Sequence, residues 1–163
     1  MQIALLNNFS KRQPVRLNKI LLVRIAAISF LSIWVVGFLL PLLYSLSNPL
    51  LDIFITRIYS TVCHQEGAKC ISAGDNSMLV CARCAGIYSG ALIASFFVLS
   101  NIRNILNYRI LPFSIIPLLM DVFLTTSGVY EYKHLLSFST GIIAGNVLFV
   151  LIIAEVESFI LKK

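Results

Sequence analysis

Charge is what this chain has least of. Asp, Glu, Lys and Arg make up 12% of its 163 residues, about half of the roughly 25% usual in soluble domains. Acidic groups are the rarest, seven against thirteen basic ones, and there are only two histidines and one tryptophan. That leaves no second acid/base cluster for an active site built on paired carboxylates. No glycine-rich phosphate-binding motif, internal repeat or low-complexity tract occurs. Cysteine is missing from residues 1–62 and 85–163, so all four fall within the twenty-two residues from Cys63 to Cys84.

What is abundant is apolar. Hydrophobic residues make up 58% of the chain and its mean hydropathy is +0.90, a membrane composition. Four stretches are free of charge over about the 20 residues needed to cross a bilayer core: Ile25 to Leu51, Cys84 to Ile102, Ile110 to Tyr130 (broken only by Asp121) and Leu135 to Ala154. Residues 1–24 read as a basic cytoplasmic segment, and residues 25–163 as one all-α domain of four transmembrane helices with a Cys/His loop at 63–84. The first apolar run is too long for a signal-peptide core and no small-x-small site follows it, so it is expected to stay as an anchor.

The net charge of +6 follows topology. Lys11, Arg12, Arg16, Lys19, Arg24, Arg103, Arg109, Lys162 and Lys163 fall on one side of the four spans, and Arg57, Lys69, Arg83 and Lys133 on the other. The positive-inside rule then places both termini in the cytoplasm of an inner-membrane protein and the cysteines on the extracytoplasmic side. The same rule accounts for the basic arm without a nucleic-acid partner, so the bilayer is the expected partner.

Span one, Ile25 to Leu46, carries Gly37 and Pro41, where a kink is expected. After it, Ser47 or Asn48 suits a helix cap and Pro49 a first helical position. Leu51, Phe54, Ile55, Ile58 and Val62 then form one stripe and Asp52, Thr56 and Ser60 another, which predicts an amphipathic interfacial helix delivering Cys63 and His64 at its end. Residues 65–77 read as loop, and span two is expected to start near Met78 to Val80, placing Cys81, Cys84 and Tyr88 on one helix face. Ala82, Gly86, Gly90 and Ala94, with Ser137, Gly141 and Gly145 in span four, recur every fourth residue, the pattern by which membrane helices approach closely. Glu155 and Glu157, near the terminal lysines, read as a solvated helix end.

Cys81-x-x-Cys84 brings two thiolates within reach of one ion, and a third cysteine, Cys63 or Cys70, with His64 from the preceding segment would complete a tetrahedral set for zinc or another thiophilic metal. A helix start and Arg83 favour thiolates. Two other chemistries use the same residues: a thiol-disulfide oxidoreductase passing electrons from Cys81 and Cys84 to quinone, with Cys63 and Cys70 as a shuttle pair, and a structural membrane subunit with a disulfide-tied loop. Asp121, an ionisable group inside a span, is expected to pair with Arg83 or to hydrogen-bond a hydroxyl. Tyr88 suits a hydrogen bond within the site or an interfacial position, Gln65 a supporting donor or a helix end, and His134 an interfacial loop.

The motifs "CHQ" (Cys63 to Gln65) and "CARCAGIYSG" (Cys81 to Gly90), followed by Asp121 and by Thr140-Gly141, resemble domain of unknown function family 2085, small membrane proteins of bacteria and archaea. The resemblance implies a multi-span protein with Cys63, His64, Cys81, Arg83, Cys84, Gly86, Tyr88, Gly90 and Asp121 at motif positions, and it implies no activity. Cys70 lies outside the motif, which leaves Cys63, His64, Cys81 and Cys84 as the natural four ligands. Lys69 and Ser137 stand where the pattern has arginines.

Overall fold

The computed structural model of the protein describes residues 2–43, 49–73, 76–99, 111–129 and 131–162. The Ser47 or Asn48 cap, the Gly74–Asp75 part of the loop, and Arg103 and Arg109 lie outside the described residues. In chain order the elements are α1 (Gln2–Leu43), α2 (Pro49–Ser60), a 3-10 turn (Gly67–Lys69), β1 (Cys70–Ala73), β2 (Asn76–Cys81), α3 (Ala82–Leu99), α4 (Leu111–Thr126) and α5 (His134–Lys162).

Among the described residues, three stretches are long and apolar enough to cross a membrane: Asn18–Leu42 in α1, Ala82–Leu99, and His134–Ile160 in α5. The basic segment before residue 25 is helical and continuous with the first of them; it contains no glycine and many straight-chain residues, which propagate a helix. The third expected span is shorter than its charge-free run. α4 has 16 residues, about 24 Å of helix, because the chain is stopped at Thr126. Gly128 takes a left-handed φ of 70°, Gly128 N–H donates to Thr125 O (3.3 Å) and Val129 N–H reaches back to Leu124 O (3.1 Å), the paired bonds of a Schellman terminator.

The expected loop at 65–77 is replaced in part by a β-hairpin. β1 and β2 run antiparallel with Cys70 opposite Cys81, Ser72 opposite Ser77 and Ala73 opposite Asn76, and a register irregularity between Cys70 and Ser72. Along β2 burial alternates, with Met78 and Val80 against the core, so residues read as the start of span two are a strand. α3 begins one residue after Cys81.

The centre of the molecule is α3 against α5. Ala82, Gly86, Gly90 and Ala94 are buried along one, and Ser137, Gly141 and Gly145 along the other. A Cβ on Gly86 would strike Phe138 O, on Gly90 Ile142 O, and on Gly145 Ile87 O, while one on Gly141 would strike Arg83 O. The two backbones are therefore closer than any side chain permits.

Buried ion pairs close both ends of this helix pair. At one end Arg83 donates from Nε (2.9 Å) and Nη2 (2.6 Å) to Asp121 Oδ2, which also accepts from Ser137 Oγ (2.8 Å). Both partners read from sequence, an arginine and a hydroxyl, are present together. Asp121 lies five residues from the end of α4, about 8 Å of helix rise, which brings it level with the start of α3. At the other end Arg24 donates from Nε to Glu157 Oε1 (2.6 Å) and from Nη1 to Val98 O (2.9 Å), joining α1, α3 and α5. Glu157 is fully buried (0% exposed), which corrects its reading as solvated; Glu155 is exposed.

Two outcomes follow in detergent melts. Gly145→Ala lowers stability by about 1–3 kcal/mol even though alanine is the better helix former, because the methyl must push two backbones apart. Gly67→Ala, whose Cβ meets nothing within 4 Å, stays within about 0.5 kcal/mol. Asp121→Asn and Arg83→Gln each cost roughly 3–5 kcal/mol, and the double variant is more stable than the worse single one, since no uncompensated charge remains. A double variant no better than the worse single one overturns the pair's energetic role.

Candidate metal centre

Cys63 is placed by the end of α2. Tyr59 is buried and donates its hydroxyl to Trp34 O (2.7 Å), which docks α2 on α1. Beyond the helix the backbone keeps turning, with Cys63 N–H donating to Tyr59 O (3.0 Å), so the Cys63 side chain follows Tyr59 into the interior and is buried. Gln65 then reverses the chain. Its φ of 49° is the only positive value at a non-glycine among the described residues, and its side chain donates from Nε2 to Thr56 O (3.2 Å). A left-handed glutamine is strained, and the bond back to α2 holds it.

Cys81 arrives from the last position of β2 and Cys84 from the first turn of α3. The three sulfur atoms of Cys63, Cys81 and Cys84 all lie within 4.8 Å of one another. A tetrahedral zinc site with bonds of about 2.3 Å spaces its sulfurs by about 3.8 Å, so this donor set fits one thiophilic ion with small side-chain adjustments. The backbone takes part as well: Cys81 N–H donates to Cys63 Sγ (3.2 Å), a bond that favours sulfur carrying negative charge.

Electrostatics divide the thiols outside α3. Hydrogen bonding by the Cys84 thiol, opposed by burial and helped by the Cys84 and Arg83 backbone and the Cys63 thiol, lowers the Cys81 thiol to about 5. Burial, with the neighbouring Cys63, Cys81 and Glu66, pushes the Cys70 thiol up to about 11. Cys70 is buried opposite Cys81 on the hairpin and lies outside the group of three.

The remaining residues read from sequence separate into distinct positions. His64 is exposed and outside the thiol group. Arg83, between the two cysteines of the CxxC pair, turns toward Asp121, with Tyr132 stacked on its guanidinium (5.4 Å to the ring centroid). Tyr88 faces Trp34 and Phe38 with ring centroids 6.0 and 6.3 Å away. Gly86, Gly90, Gly141 and Gly145 all lie in the α3–α5 contact below the site. Sequence reasoning passed over Tyr59, Trp34 and Phe38, which with Cys63, Val80 and Ala85 form the apolar body behind the thiols. An aromatic residue at every fourth position, Phe30, Trp34 and Phe38, is the signal that marks this wall on α1.

An uncharacterized protein of Methanocaldococcus jannaschii is 30% identical over 149 residues, spanning 85% of this chain and 95% of the relative. No solved structure matches the chain. The family model described as "Predicted membrane protein (DUF2085)" matches residues 63–151, a segment that starts at the first thiol of the cluster and runs through α3 and α4 into α5, and the chain belongs to that family.

Proposed function

We propose that the protein holds one zinc or other thiophilic ion at the rim of a four-span membrane domain. The observation that carries this reading is the convergence of three thiols from three separate segments, a chain reversal, a strand end and a helix start. Cys63, Cys81 and Cys84 hold the ion as thiolates, and His64, exposed beside Cys63, turns in as the fourth donor. The bound ion ties these segments together and stabilises the rim by its binding free energy. Gln65 sets the turn that brings Cys63 in. Arg83 and Asp121 orient the start of α3, and Tyr88 backs the site.

In this reading α4 is the fourth span, residues 1–24 are the cytoplasmic lead-in, and both termini are cytoplasmic in an inner membrane. α2 lies in the outer interface. Its exposed apolar side chains support this: Leu51, Phe54 and Ile58 are turned outward, as is Val62 in the turn that follows, where lipid covers them.

Protein purified without chelator retains near-stoichiometric metal, and Cys70→Ser keeps it. Cys63→Ser and Cys81→Ser lose it, and His64→Ala weakens affinity at unchanged stoichiometry. Metal-free wild-type protein with a Cys81–Cys84 disulfide that a quinone analogue keeps oxidised overturns this reading in favour of thiol-disulfide exchange; an inert disulfide leaves a structural loop tie. For topology, single cysteines in a cysteine-free background react with an impermeant maleimide at position 66 and are protected at position 162. The reverse pattern inverts the chain.

A further inference from the structure

A cavity of about 380 Å3 opens between α2 and the hairpin, with none of the three clustered thiols in its lining. Asp52 and Thr56 from α2, Gln65 from the turn, and Cys70, Asn76 and Ser77 from the hairpin line it. Asp52 is the one charged residue in this lining, and no lysine, arginine or aromatic side chain contributes to it. In a chain with a net charge of +6, a pocket whose only charge is a carboxylate attracts cations against the overall field. With no ring to stack on, an organic cation gains little there.

Cys70 connects this pocket to the metal centre. It is a lining residue, and it is also the cross-strand partner of Cys81, so the two side chains stand on the same face of the hairpin. A soft donor therefore stands between a cation-attracting cavity and three converging thiols, yet it is not one of the three.

We infer that the pocket is the loading path of the metal centre and that Cys70 is a relay ligand that captures an incoming thiophilic cation and hands it to Cys81, Cys63 and Cys84. The inference rests on the metal-centre reading and adds the route and the order of ligands. The exchange balances as a set of ligand substitutions. A hydrated cation loses water to the Cys70 sulfur, whose proton passes to solvent. Bonds to Cys81, Cys63 and Cys84 then form as the Cys70 bond breaks, the protons still held by the receiving thiols are released, and Cys70 takes a proton back. No electron moves.

The test is the rate at which metal-free, full-length protein in detergent takes up cadmium, followed by the ultraviolet thiolate-to-cadmium charge-transfer band. Cys70→Ser reaches the wild-type end point, one cadmium per chain at unchanged band amplitude, but about tenfold more slowly, the lower end of the effects seen for groups adjoining the resident ligands. Asp52→Asn also slows uptake, and its rate loses much of the wild-type dependence on ionic strength, as removal of a steering charge requires. Wild-type kinetics in Cys70→Ser overturn the relay while leaving the metal centre standing. A lower end point in Cys70→Ser makes Cys70 a resident ligand and also overturns it. No band in wild-type protein, or a band unaffected by Cys81→Ser, removes the metal centre and the relay together.

Discussion

An arginine placed between two cysteines at the mouth of a membrane helix has to be turned somewhere, and the pair it makes with Asp121 determines the geometry of everything above it. A guanidinium with its counter-ion on another helix cannot be held in low dielectric unless donors and acceptors are matched, and here one carboxylate oxygen accepts two arginine N–H groups and the Ser137 hydroxyl. Successive residues on a helix point about 100° apart. Fixing Arg83 toward α4 and α5 therefore fixes the direction of Cys84, one residue on, and with it the side of α3 on which the thiols gather. The pair stands in the place of a cap and a rotational key for the helix start.

The chemistry was more legible in the sequence than the local structure that presents it. Cysteines confined to one short stretch, with a Cys-x-x-Cys spacing, identify a thiol cluster whatever the backbone does between them. The hairpin was harder to see, because Leu79 is apolar on the face where alternation calls for a polar residue, and because β2 runs directly into an apolar helix. Gly74-Asp75 between two short β-prone runs is a hairpin signature that the membrane pattern of the following residues obscured. His64 shows the opposite problem: adjacent positions on an extended or turning chain point apart, so a Cys-His pair in sequence supplies two donors to one ion only after the exposed His64 side chain turns in. Both histidine and sulfur chemistry are present, but the fold brings only the sulfurs of Cys63, Cys81 and Cys84 together.

Charges deep in the molecule were readable in one direction only. Asp121 lies inside an apolar run and demands a partner, so its pairing with Arg83 could be reasoned from cost alone. Glu157 lies near the end of an apolar run beside lysines, where solvation is the simpler account, and its partner Arg24 is 133 residues away. No local pattern encodes that distance. The length of α4 was likewise hidden, since the charge-free run continues past Thr126 while the regular helical hydrogen bonds give way to a terminating turn: a single glycine in a left-handed conformation ends the helix against its composition.

The two ion pairs lie near opposite ends of α3, at Arg83 and at Val98, whose carbonyl Arg24 engages. The stretch between them is about 22 Å of helix, and along it α3 and α5 touch backbone to backbone. A carrier that alternates its opening between two faces of a membrane needs helices that rock or slide past one another. These two are bolted at both ends and seated against each other in between, so neither can tilt without stripping a buried charge of its partner. The short α2 and the hairpin lie outside the bolts, so a movement there strips neither charge of its partner.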